Sequence, residues 1–194
     1  MTKYNGINHI GLATRDMDTT IRFWRDLLMM RLVAGLGKRG NRQYFFELSE
    51  SVLISFFEWP EVGPVPDKDP GRPAKGPFVF DHVCIELMDK EQLWELKDRL
   101  EAAGVWVTEV LDNGFIHSIF STDPNGIQLE FCYKTDKFDI RKKFRMIDPA
   151  SSDVTKEGIG PFPDKWPSVK KPTPENERKI YPGELIKLFK GKDS

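Results

Sequence analysis

Short runs in which apolar and polar residues alternate occur twice along the chain, and each is followed by a helical pattern and a strand pair. The first run is Gly6-Ile7-Asn8-His9-Ile10-Gly11-Leu12 and the second is Phe80-Asp81-His82-Val83-Cys84-Ile85-Glu86-Leu87. Both read as half-buried strands with a histidine near the start. An acidic residue, Asp16 or Asp89, opens the helix that follows. The first helix carries Ile21, Trp24, Leu27 and Leu28. The second carries Leu93, Trp94, Leu96, Leu100 and Ala103 and stops at Gly104, a good left-handed cap position. Strands are then expected around Leu32–Ala34 and Val105–Val107. Strand pairs follow at Tyr44–Leu48 with Val52–Phe57, and at Ile116–Thr122 with Ile127–Tyr133. The second pair turns at Asp123-Pro124-Asn125-Gly126, where proline fixes one dihedral and Asn-Gly accepts positive φ.

The unit is therefore βαβββ, twice. Module 1 spans about 6–57 and module 2 about 78–133, with a linker over 58–77 that holds six prolines and three glycines. One copy alone buries too little surface to be stable, so the two should pack together. The expected fold class is α+β: two βαβββ modules forming a curved mixed sheet with a concave cavity, one domain over residues 1–133.

Charge and proline content change the picture after that point. Residues 134–194 hold fifteen Lys/Arg against ten Asp/Glu, a net of +5, which leaves −6 on the rest of a chain whose total is −1. Seven of the fourteen prolines also fall there, which excludes a long helix or a central strand. Yet the segment keeps Phe138, Phe144, Phe162, Trp166, Tyr181 and Phe189. It reads as an extended arm lying on its own domain or on a partner subunit, with a short terminal helix at Gly183–Phe189; a disordered basic tail is the alternative.

Composition excludes several classes. No run approaches the roughly 18 apolar residues a membrane span needs, and nothing at the N-terminus resembles a signal peptide. Two cysteines give no disulfide framework, so a cytoplasmic protein is expected. A near-neutral total offers nucleic acid no electrostatic reason to bind.

Strand parity assigns faces. Val83, Ile85 and Leu87 share a side, as do Ile127, Leu129 and Phe131, and these aliphatic sides must take the helices. His82 and Glu130 then fall on the opposite, concave face, and by the same argument so does His9. Two imidazoles and a carboxylate on one face form a facial triad that leaves open positions for substrate or oxygen. Two of only three histidines stand at equivalent places in the repeat, and a buried Glu130 needs a cation or a donor. A metal site is the expectation. The third histidine, His117, has the opposite parity to Phe120 and reads as structural or surface. Phe45, Leu53, Ser55, Phe57, Phe80, Ser118 and Phe120 share the inward parity and line the expected pocket, a lining suited to a flat or apolar substrate. Cys84 and Cys132 also point inward and read as small buried hydrophobes.

The doubled βαβββ unit, the paired strand histidines and the final Asp-Pro-Asn-Gly-Ile-Gln-Leu-Glu run resemble the vicinal oxygen chelate superfamily over residues 6–133. That superfamily holds glyoxalase I, bleomycin and fosfomycin resistance proteins, methylmalonyl-CoA epimerase and the extradiol dioxygenases. Phe23-Trp24-Arg25-Asp26-Leu27-Leu28 is similar to its usual helix ending, although Met29 stands where a glycine is common. The resemblance implies metal ligands at His9, His82 and Glu130, with Ser55 replacing the fourth ligand of glyoxalase I. A three-ligand site is what the extradiol and fosfomycin-modifying enzymes use. Against the extradiol pattern, Phe120 stands where those enzymes carry a tyrosine, and Leu111, Asp112 and Asn113 where they carry an acid–base histidine.

The resemblance thus implies a metal-dependent enzyme of extradiol dioxygenase type, acting with O₂ on a small aromatic or vicinal-oxygen substrate. The alternatives are a glyoxalase-like lyase or isomerase, a glutathione-type transferase, or a non-catalytic drug-binding resistance protein. One divalent ion is expected, Fe²⁺ or Mn²⁺ favoured, with Zn²⁺ or Ni²⁺ admitted by the same donors. A homodimer is expected, because exchanged arms are a low-cost route to one.

Overall fold

The computed structural model describes residues 3–69, 71–76, 80–143 and 145–189. Residues 77–79, where module 2 was expected to begin, and Phe144 of the arm lie outside the described residues.

Module 1 runs β1 (His9–Thr14), α1 (Met17–Ile21), β2 (Arg31–Lys38), β3 (Asn41–Ser49) and β4 (Val52–Glu58). Asp16 caps α1 as expected: its Oδ1 accepts from the N–H groups of Asp18 at 3.0 Å and Thr19 at 3.1 Å, satisfying donors the first turn leaves free. The helix continues over Arg22–Leu27 in a wider π winding. Module 2 runs β5 (Val83–Glu86), α2 (Lys90–Ala102), β6 (Leu111–Asp112), β7 (Ile116–Thr122) and β8 (Gln128–Lys134). Asp89 caps α2, and Gly104 takes φ +71 just past its end, the left-handed exit expected from the sequence.

The strands form two four-stranded sheets of the same order, β1-β4-β3-β2 and β5-β8-β7-β6, with the first pair of each parallel and the rest antiparallel. The βαβββ modules and the mixed pairing agree with expectation, but the sheet is divided in two, so His9 on β1 and His82 just ahead of β5 belong to the faces of separate sheets. The strand expected at Val105–Val107 reduces to a single bridge, Val107 to Ser121, because the chain returns to pair only at Leu111–Asp112. β5 starts at Val83, so Phe80, Asp81 and His82 precede the strand proper.

One apolar core joins the modules. Trp24, Phe46, Ile54 and Phe56 of module 1 cluster with Val83, Ile85, Leu96, Ile119, Leu129 and Phe131 of module 2. The junction is pinned by the Asp-Pro-Asn-Gly turn: Trp24 Nε1 donates to Asp123 Oδ2 at 3.3 Å, and Asn125 Nδ2 to Thr20 Oγ1 at 3.4 Å. Burial pushes the Asp123 carboxyl up, while the N–H groups of Asn125 and Ile127 and the Asn125 amide pull it back. Gly126 is required there, since a Cβ would lie 2.4 Å from the carbonyl oxygen of Val65, which the linker lays against the turn. No helix among the described residues is long and apolar enough to cross a membrane.

The arm makes only short turns, among them α3 (Asp153–Lys156) and Glu184–Phe189, the latter against β2. Its described apolar residues stay largely exposed within one chain, Trp166 at 80% and Ile180 at 99%. The expected cover for these side chains is therefore not supplied by the chain's own domain.

Two features generate predictions about stability. Met29 has φ 61, the one non-glycine left-handed residue among the described residues, and it stands where the resemblance led to expect glycine. It is 69% exposed, so its side chain contributes little packing to offset a strain of about 1–2 kcal/mol. Met29→Gly should raise stability by about 0.5–1 kcal/mol once the added freedom of the unfolded chain is subtracted, as read by urea denaturation. The second feature is the Glu58 carboxylate, buried at the end of β4 and gripped by Arg42 through 2.6 and 2.8 Å bonds and by the Gly40 N–H at 2.6 Å. Arg42 first, then the Gly40 N–H, hold Glu58 down from its ordinary 4.5 to about 2 against the opposing effect of burial. A depressed carboxyl contributes stability above its unfolded value that disappears as the folded group protonates. Stability should thus fall between about pH 4.5 and about pH 2, and denaturation curves for Glu58→Gln should show a smaller decline over that window.

Candidate metal centre

Alternation along β8 sends Leu129 and Phe131 into the core and leaves Gln128, Glu130 and Cys132 on the open face. Cross-strand pairing puts Ser118, Phe120 and Thr122 of β7 beside them: Ser118 opposite Cys132, Phe120 opposite Glu130, Thr122 opposite Gln128. His82 enters this face from the segment ahead of β5. Its Nε2 lies 3.1 Å from Glu130 Oε2, and its ring stands edge-on to Phe120 with centroids 5.5 Å apart. The side chain of Glu130 is 7% exposed, and His82 is its only ion-pair partner among the described residues.

That pair suits a divalent ion. Imidazole nitrogen and carboxylate oxygen at bond lengths of about 2.0–2.2 Å and neighbouring coordination positions sit ~3 Å apart, close to the observed spacing. A buried carboxylate also calls for a cation or donors to tolerate its charge. The described residues nonetheless contain no group of three His, Cys, Asp or Glu arranged to hold one ion. His9 is exposed on the first sheet, edge-on to Phe45 at 6.4 Å. Ser55 is fully buried, paired across the sheet with Phe45 and Gly11, and takes a 3.4 Å bond from Gln43 Nε2. Leu53 and Phe57 share its face. Phe57 stacks on Trp59 at 5.6 Å.

The expected pocket lining is thus divided. Phe45, Leu53, Ser55 and Phe57 belong to the first sheet. Ser118 and Phe120 belong to the second, and Phe80, ahead of β5, is 48% exposed. His117 turns to the other face of β7, as parity indicated, where its Nδ1 meets the Tyr133 hydroxyl. Cys132 is buried but Cys84 is exposed, their sulfurs 3.3 Å apart, and Cys132 together with burial pushes the Cys84 thiol up.

Several participants were not anticipated. The linker folds over the second open face and forms one side of an open cleft of about 580 Å³ lined by Asp67, Lys68, Asp69, Trp106, Thr122 and Gln128. Gln128 is buried, and its Oε1 has no hydrogen-bond partner among the described residues. Asp81 touches three groups: Lys68 Nζ at 2.8 Å, His82 Nδ1 at 2.6 Å and the Gly71 N–H at 2.9 Å. Lys68, then His82 and Gly71, hold its carboxyl well below the usual range. The sequence carried one signal for this, a carboxylate directly before a candidate ligand. Strict alternation hid it by assigning Asp81 to the other face of a strand that has not yet begun.

Comparison with known proteins agrees with this architecture. The profile of the Glyoxalase/Bleomycin resistance protein/Dioxygenase superfamily matches residues 6–131. A glyoxylase/bleomycin resistance protein/dioxygenase domain from Frankia sp. EAN1pec is 22% identical, with a TM-score of 0.57 over 69% of this chain and 100% of that one. Lactoylglutathione lyase from Agrobacterium tumefaciens is 24% identical, TM-score 0.51, over 68% of this chain and 96% of that one. The fosfomycin resistance protein FosX from Listeria monocytogenes, solved with Mn(II) and sulfate, is 18% identical, TM-score 0.52, over 69% and 96%. These likenesses speak to the fold, and each covers about two thirds of this chain. With its profile match spanning both modules, the chain belongs to the Glyoxalase/Bleomycin resistance protein/Dioxygenase superfamily.

Proposed function

We propose that the protein is a metal-dependent enzyme in which His82 and Glu130 of one copy and His9 of a second copy hold a divalent ion. The observation that carries this reading is the buried Glu130 carboxylate, 3.1 Å from His82 Nε2 on an otherwise aromatic face. Fe²⁺ or Mn²⁺ is favoured, with Zn²⁺ or Ni²⁺ admitted by the same nitrogen and oxygen donors. The likeness to FosX with Mn(II) supports the choice of ion class. His9 is assigned to a second copy because it is exposed on its own sheet and one chain offers no three-donor group among the described residues. A homodimer also gives the exposed aromatics of the +5 arm a −6 surface to cover.

A bound ion supplies Lewis-acid polarisation of a substrate oxygen. The chain's own groups do the rest. Phe45 and Phe120 stand edge-on to His9 and His82 and give the donors apolar neighbours. The cleft lined by Gln128, two residues before Glu130 on β8, takes the body of a small aromatic or vicinal-oxygen substrate, with Trp106 offering a flat face and Gln128 Oε1 an acceptor for a substrate N–H or O–H. Because Ser55 cannot serve as a strong fourth ligand, adjacent positions stay free for substrate and O₂, which supports chemistry of dioxygenase type. Phe120 favours a second reading. It meets His82 with a hydroxyl-free edge, and His117 is turned away, so among the described residues no tyrosine or histidine stands where the extradiol pattern has its acid and base. On that reading the reaction is a lyase, isomerase or glutathione-type transfer without oxygen.

Metal-free full-length protein should take up Mn(II) at one ion per chain, and His82→Ala should lose it with the circular dichroism spectrum unchanged. A metal-saturated His82→Ala protein would contradict the assignment. Oxygen consumption by the anaerobically Fe(II)-loaded protein with a panel of catechols separates the two chemistries: uptake supports the dioxygenase reading, and turnover without uptake supports the second.

A further inference from the structure

The repeat extends one residue beyond the histidines themselves. His9 Nδ1 lies 2.9 Å from Asn8 Oδ1, and His82 Nδ1 lies 2.6 Å from Asp81 Oδ1. In both modules the preceding side chain supplies an oxygen to the same ring nitrogen. A carboxylate or amide oxygen can only accept here, so Nδ1 carries a hydrogen in both rings, and Nε2 is the atom left to serve as lone-pair donor once an ion takes the place of any hydrogen it shares with Glu130. In module 2 that Nε2 is the atom that meets Glu130.

The two copies differ in what holds the oxygen. Asn8 is at an exposed site. Asp81 is gripped from the linker, by Lys68 Nζ on one oxygen and by the Gly71 N–H on the other. The Lys68 side chain is 5% exposed, a strong burial for a lysine on a proline-rich connection, and Asp81 is its only ion-pair partner among the described residues. An ammonium is not buried there for packing, because its desolvation is tolerable only beside a fixed anion. The linker is anchored a second time by the Val65 N–H on the Asn125 carbonyl at 2.8 Å. It is therefore fastened to the second open face at both the turn before β8 and the carboxylate behind His82.

We propose that Asp81, clamped by Lys68 and the Gly71 N–H of the inter-module linker, is a positioning residue that fixes His82 with Nε2 toward Glu130. The linker thereby belongs to the metal-binding apparatus and is not a passive tether. This rests on the metal reading above, but its first consequence can be read without any metal. Groups that orient a ligating histidine change metal affinity by about 10–100-fold when removed.

The test uses the full-length protein and the variants Asp81→Ala, Asp81→Asn, Lys68→Met and Lys68→Arg. In metal-free wild type, long-range ¹H–¹⁵N spectra should show a hydrogen on His82 Nδ1. Asp81→Ala should move the hydrogen toward Nε2, and Asp81→Asn, which keeps an acceptor oxygen, should largely preserve the wild-type form. Mn(II) affinity read by electron paramagnetic resonance should fall about 10–100-fold in Asp81→Ala and Lys68→Met and recover in Lys68→Arg. A wild-type His82 with no hydrogen on Nδ1, or an Asp81→Ala protein with unchanged ring protonation and unchanged Mn(II) affinity, would overturn the proposal. A tautomer shift in Asp81→Ala together with no Mn(II) binding by wild type would uphold the hold of Asp81 on the ring and overturn the metal reading instead.

Discussion

Glu130 keeps a carboxylate at a place that water barely reaches, and the second module is organised around that charge. Its neighbours along β8, Leu129 and Phe131, are committed to the core, so alternation leaves Glu130 no choice of face. Across the sheet Phe120 offers it a ring and no donor. Cys84 of β5 is paired opposite it and its thiol bonds the carboxylate, and the last side is closed by His82, whose ring is in turn fixed from behind by Asp81. A negative charge so placed is costly unless a cation or a donor answers it. The arrangement at His82 is what makes that answer available.

The same core that dictates the face also separates the donors. Trp24, Phe56 and Ile54 of module 1 share one apolar cluster with Ile85, Leu100 and Phe131 of module 2, and Trp24 reaches across to Asp123. Joining the helical faces in this way leaves each sheet with its own open side, one bearing His9 and Ser55, the other His82 and Glu130. A fold of two equivalent halves is therefore predisposed to build a site from the first half of one copy and the second half of another. The linker adds an asymmetry between the halves, since it covers only the second open face and places a buried lysine there.

Much of this was legible in the sequence because period-two alternation and helix caps are local properties. Asp16, Asp89 and Gly104 ended or began helices where their chemistry requires, and the parity of Glu130, Phe120 and His117 was read correctly from neighbours on the same strand. What escaped was non-local. The edge strand after α2 dissolved into one bridge at Val107 because pairing depends on the partner strand and not on the residues at 105–107 alone. Asp81 was missed because β5 begins three residues later than the alternation suggested. The linker was read as a spacer from its prolines and glycines, and nothing in that composition says that Lys68 reaches a carboxylate thirteen residues onward. Division into two sheets was likewise invisible, since identical modules are compatible with either arrangement.

The central claim is that one ion joins His9 of one copy to His82 and Glu130 of another, and subunit mixing tests it most directly. His9→Ala and Glu130→Ala proteins, each unable to bind Mn(II) alone, are to be unfolded together, refolded and titrated. Mixed dimers should regain Mn(II) at about one quarter of the wild-type capacity. This follows because half of a random mixture pairs unlike chains and each such pair holds one intact site of two. Full Mn(II) binding by His9→Ala alone, or no recovery in a mixture shown by mass to contain hetero-dimers, would contradict the account.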